Sequence, residues 1–268
     1  MKKYNIGRLS LGMVCLVAQT FALGAVQGPP GSGMLGTSHD FTVEGQHSTL
    51  SGMQIGLCSI CHTPHSAIST QLLWNQKLTT ATYTWGDATT TVGGTTLPNS
   101  AKLGPSTKCL SCHDGTVAVG ETANYKGSVN GGAVMVGGYP LPGTLIMRMG
   151  AGGNGIGHDG KMTGNHPIAV PYPLNGAAGT YNGINTGSKV LLDEFVANPH
   201  SPANGIKLYN DDGNGKISGG TSAGKTGIEC TSCHDPHNKA AVDDLFLRGK
   251  MAGSTRADGY ICLQCHIK

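Results

Sequence analysis

The sequence predicts a mostly irregular fold, coil with short helices and few short strands, whose core is filled by something other than side chains. Three observations predict this. Gly supplies 43 of the 268 residues, about twice its usual share. Aromatic residues make up only 5% of the chain, with four Phe and two Trp, so large apolar side chains are scarce. Charged residues are only 12%, which argues against ordinary disorder, a state that is usually charge-rich. A chain that folds on so little apolar bulk needs that bulk from a bound group.

The cysteines identify the group. There are nine, and Cys15 lies in the N-terminal segment. The other eight form four pairs, each with two intervening residues and each followed at once by His: Cys58-Cys61-His62, Cys109-Cys112-His113, Cys230-Cys233-His234 and Cys262-Cys265-His266. Two thiols at this spacing add to the two vinyl groups of one haem, and the next imidazole comes up beneath the iron. A structural zinc site uses two such pairs per ion and has no need of a His after each. A redox CxxC usually occurs singly, and disulfides do not require the His. The expected cofactors are therefore four haem c. The expected fold class is a multihaem cytochrome c with the haems forming the core.

Residues 1–24 read as a signal peptide. Lys2, Lys3 and Arg8 are basic, Leu9 to Phe21 is apolar, and Ala22-Leu23-Gly24 offers a cleavage site. A lipoprotein signal at Cys15 would put Val14 where a small residue belongs. No other stretch is apolar and long enough to span a membrane. Loss of three basic residues leaves the exported chain with 15 basic and 15 acidic residues, without the basic patch that nucleic acid requires. Export points to the cell surface or extracellular space, or else to the periplasm.

The tetrahaem domain, 25–268, leaves about 61 residues for each motif, too few to wrap each haem separately. The motifs also pair. CSICHTPH at 58–65 is followed by CLSCH, and CTSCHDPH at 230–237 is followed by CLQCH, which reads as a duplicated two-haem module. The expected divisions are a first module at 25–124, a Gly-rich insertion at 125–229 and a second module at 230–268. Within the insertion, Val134-Met135-Val136 is a candidate for strand pairing, and Leu191 to Ala197 for a helical turn or two.

Each iron needs a second ligand. His65 and His237 lie three residues past His62 and His234, each after a Pro. Three residues cannot carry an imidazole to the far face of the same haem, so each is expected on a neighbouring one. His166, held extended by Pro167, and His39 complete the distal set, with His200 in reserve. His47 and His158 read as surface residues. Met34, Met53, Met147, Met149 and Met162 offer the alternative of His/Met ligation, which raises a haem's potential. Asn210 to Ile217 has the early spacing of a calcium loop, but Thr221 stands where the bidentate Glu belongs, and the competing reading is an Asn/Asp/Gly turn.

The strings GLCSICHTPH, CLSCHDGTVAVG, GNHPIAVPY and IECTSCHDPH resemble the doubled-CxxCH multihaem cytochromes. The resemblance is strongest to the filament-forming extracellular tetrahaem cytochromes of the OmcE type. It implies bis-His ligation throughout and a head-to-tail homopolymer in which one haem takes its distal His from the next subunit, here His39. The expected function is electron transfer along a conductive extracellular filament, with other redox proteins or extracellular acceptors as partners. The alternatives are a soluble periplasmic tetrahaem shuttle and a multihaem reductase. All four motifs keep their His and no acid–base constellation is evident, so no enzyme is expected.

Overall fold

The computed structural model describes residues 28–41, 57–64, 67, 71–99, 103–117, 124–125, 128–129, 135–136, 139–140, 156–201 and 205–267. The expected signal segment and its Cys15, together with His47 and His65, lie outside them. Among the described residues no helix is long and apolar enough to cross a membrane.

The motifs sit on short helices or a turn. Motif two lies on α1 (Ser106–His113), motif three begins on α2 (Cys230–Cys233), and motif four lies on α3 (Ile261–Cys265). Motif one is a hydrogen-bonded turn in which the His62 N–H donates to Cys58 O at 2.9 Å. Such brief helices have little intrinsic stability, so their packing partners hold them.

Between and around the helices the chain forms short strands. Here the expectation of a coil-dominated fold with haems as its core is corrected. A four-stranded antiparallel sheet runs in the order β5 (Val170–Pro171), β10 (Thr226–Ile228), β8 (Tyr209–Asp211), β9 (Ile217–Gly219). A hairpin of β6 (Thr180–Tyr181) and β7 (Ile184–Asn185) lies beside it. Further antiparallel pairs join β1 (Asn124–Tyr125) to β2 (Ser128–Val129), and β3 (Met135–Val136) to β4 (Tyr139–Pro140), the latter on the expected apolar piece. The expected turn near Leu191 is a single 3-10 turn, Leu192–Glu194. All four strands of the larger sheet fall within the Gly-rich stretch 125–229.

Side chains build two core clusters. One cluster joins Tyr83, Leu103, Leu110, Met162 and Ala169 around α1. A second joins Tyr172, Leu174, Ile206 and Leu208, with Phe195, Ile228, Ile261 and Cys265 packed against it. Gly227 explains one use of the abundant Gly. A Cβ there would meet the Tyr181 ring at 2.3 Å, so only Gly lets β10 pass under that fully buried ring. Strands of two or three residues do not display a readable alternation of apolar and polar positions, which is why the sheet was not legible in the sequence.

Candidate haem-attachment site

The eight motif cysteines are all free thiols, spaced by the motif turns and helices. Burial pushes Cys61 and Cys233 up to about 11 and Cys265 up to about 12.

The two modules share more than their motifs. In the first, His62 bridges to Trp74, Thr63 N donates to Leu73 O at 2.8 Å, and Asn75 N donates to Cys61 O at 2.8 Å. In the second, His234 bridges to Leu247, Asp235 N donates to Phe246 O at 2.7 Å, and Arg248 N donates to Cys233 O at 2.8 Å. Side chains repeat the pattern. Asn75 Nδ2 donates to Ser59 O at 2.6 Å and Arg248 Nε to Thr231 O at 3.1 Å, each carbonyl following the first motif Cys. Leu72, Leu73, Leu245 and Phe246 all hold positive φ, an uncommon state for such residues. The strain turns a backbone carbonyl toward each motif His: His62 Nδ1 donates to Leu72 O at 2.6 Å and His234 Nδ1 to Leu245 O at 2.8 Å.

Those hydrogen bonds fix a tautomer. A proton held on Nδ1 by a carbonyl leaves Nε2 as a bare lone pair, the arrangement usual for metal-ligating His. His39 and His166 are set the same way, through Pro236 O at 3.1 Å and Pro167 O at 2.8 Å. His200 is set the opposite way. Its Nδ1 accepts the Leu208 N–H at 2.9 Å, which puts the proton of the neutral ring on Nε2. This reserve ligand is therefore turned away from coordination. His158 lies against its neighbour Asp159, at 3.3 Å.

The rings then meet in pairs. His62 faces His237 with ring centres 6.2 Å apart, His113 faces His39 at 6.1 Å, and His266 faces His166 at 6.4 Å. Each pair joins one motif His to one His expected as a distal ligand. Two imidazoles on opposite sides of one metal, each with a bond of about 2 Å, place their ring centres about 6 Å apart. The residues thus fit a haem iron at three motifs. The partner expected for His234, His65, lies outside the described residues.

His39 faces His113 within the chain and stacks on Phe246 at 4.7 Å. The N-terminal arm, 28–41, is tied to the second module. Asn238 Nδ2 donates to Pro29 O at 2.9 Å and to Gly33 O at 3.1 Å, and Gly33 N donates to Asn238 O at 3.1 Å.

Burial pushes His113 down to about 4, with the neighbouring His39 and His234 adding to the effect. The ring is therefore neutral, the form that coordinates. Helices α1 and α2 meet through Glu229, 2% exposed. Its carboxylate accepts from the Ser106 N–H at 3.0 Å, from the Ser106 hydroxyl, and from Tyr181 OH at 2.7 Å. Ser106 Oγ in turn accepts the Cys230 N–H at 3.0 Å.

The candidate calcium loop is a turn. Asp211 accepts from Gly213 N at 2.8 Å and Asn182 N at 2.8 Å, and Asp212 from Asn214 N at 2.7 Å and Lys216 N at 3.0 Å. Among the described residues no group of three or more His, Cys, Asp or Glu is placed to hold a metal ion. No protein-family model matches the chain, and no curated protein matches it by sequence.

Sequence reasoning missed the carbonyls of Leu72, Leu245 and Pro236 that orient the rings. A weak signal existed, since QLLW and DLFL stand at nearly the same distance beyond the two motifs.

Glu229 gives a pH prediction. Burial, opposed by the Ser106 and Tyr181 donors and by Lys108, raises it from 4.5 to about 7. The folded state therefore holds this proton more tightly than the unfolded state. Its stabilising contribution is complete below pH 4.5 and is lost as pH rises towards about 7. Denaturant unfolding of the mature protein across that window should show a fall of up to ~1.4 kcal/mol per pH unit from this group. In Glu229→Gln that component should vanish.

Proposed function

We propose that the chain is a tetrahaem c-type cytochrome that transfers electrons and is not an enzyme. The observation that carries this reading is the facing of His62 with His237, His113 with His39 and His266 with His166 at ring separations of 6.1 to 6.4 Å. A haem c bound at each motif supplies an iron that gains and loses one electron. The chain's own part is to hold both axial positions. Carbonyls lock His39, His62, His166 and His234 with Nε2 available, and burial keeps His113 neutral. Occupied axial positions leave no site for a substrate, which favours electron transfer over a reductase. His65 is proposed as the partner of His234, reciprocal to His237 and His62, since both follow the same motif at the same spacing.

Cys230 lies beside Cys109, and the Arg248–Lys250 segment links Cys233 to Ile261, beside Cys262. Attachment points of motifs two, three and four thus lie close together, which favours exchange among them. Secretion of the carrier to the cell surface or extracellular space is proposed from the N-terminal sequence, with the periplasm as the alternative.

The mass of the mature protein should exceed that of its polypeptide by four haems; fewer would contradict the reading. His237→Ala should keep all four haems but open one axial position, so that the ferrous protein binds about one carbon monoxide per molecule while the parent binds none.

Polymerisation is proposed by exchange of the N-terminal arm. Its docking partners, Pro236, Asn238 and Phe246, lie about 200 residues further along the chain, and residues 42–56 separate it from the first motif. An arm placed in the same groove of the next copy keeps every contact, including His39 beside His113. An exchange that does not close on itself gives an open filament. Asn238→Ala with His39→Ala should abolish filaments in electron micrographs while leaving the haem attachment motifs intact. Filaments that persist in this double variant would rule out the arm as the joint.

A further inference from the structure

Among the described residues one buried side-chain donor has no hydrogen-bond partner: the indole Nε1 of Trp74. An indole N–H can only donate, and native structures rarely bury a donor without an acceptor. Trp74 is firmly placed. Its backbone bridges to His62, and the residues on either side bond to Thr63 and Cys61. The indole stands edge-on to the His62 imidazole, with ring centres 6.0 Å apart and planes at 81°.

The second module supplies an internal control. Leu247 occupies the equivalent place, bridging to His234, and has no donor. The shared turn therefore forms without an indole N–H. The donor belongs to what surrounds the first motif alone.

We propose that the Trp74 indole N–H donates to a propionate carboxylate of the haem held by Cys58, Cys61 and His62, and so positions that carboxylate. The proposal rests on the haem reading above. A carboxylate is the strongest acceptor a haem presents at its edge, and a hydrogen bond to an ionised acceptor is roughly twice as strong as a neutral one. Donation stabilises the ionised propionate and draws negative charge away from the iron. The first-motif haem is then easier to reduce, and its propionate ionises at lower pH.

The test uses the mature protein. Trp74→Phe keeps an aromatic ring and removes the donor, and Trp74→Leu copies the second module as an independent variant. Haem content by mass comes first: fewer than four haems in the parent protein is a failure of the haem reading, not of this one. Redox titration over a range of pH then reads the proposal. One midpoint of four should fall, by about threefold in the reduction equilibrium, ~28 mV at 59 mV per decade. The pH dependence of that midpoint should also move to higher pH, with the other three unchanged. Four haems with four unchanged midpoints in both variants, or an equal shift of all four, would overturn the proposal.

Discussion

An imidazole can offer Nε2 to a metal only when its proton sits on Nδ1, and a metal held from both sides needs two such rings about 6 Å apart. Four His rings have Nδ1 against a backbone carbonyl, and two of those carbonyls, of Leu72 and Leu245, belong to residues held at positive φ. His200 shows the contrast. One backbone N–H on its Nδ1 reverses the tautomer and removes it from the set.

The remainder of the fold holds the ring-bearing segments in register. Helices α1, α2 and α3 are too short to persist alone. Glu229 ties the first two together, Tyr181 braces Glu229 from the β6–β7 hairpin, and Gly227 makes room for Tyr181. Helix α3 is held against the second cluster, where Val196 N donates to Cys265 O at 2.8 Å and Tyr172 OH to Val196 O at 2.5 Å. The sheet matters to the site because β10 runs directly into Glu229 and α2. A buried carboxyl at the meeting of two motif helices is costly unless its bonds are satisfied, which makes this junction sensitive to proton uptake.

Legibility in the sequence followed range. The motif cysteines and the His beside them are a local chemical pattern, and they were readable residue by residue. His237 and His166 were picked out by counting available imidazoles and by the reach of a three-residue turn, and their rings lie 6.2 and 6.4 Å from those of His62 and His266. The cross-subunit placing of His39 came from resemblance alone, and nothing local in Ser38-His39-Asp40 discloses that Asn238 captures the arm. The sheet was illegible because its strands are two or three residues long and pair over distances such as Val170 to Ile228. Low aromatic content also misled the reading of the core, since buried Tyr83, Tyr172 and Tyr181 supply bulk that the count of Phe and Trp understates.

The central claim is that each motif His is matched by a second imidazole. Low-temperature electron paramagnetic resonance of the fully oxidised, mature protein tests it most directly. The account predicts low-spin ferric signals alone, integrating to four irons per chain, each with two nitrogen ligands. A high-spin signal of about one iron per chain in the unmodified protein, or a spectrum typical of His/Met ligation, would contradict it.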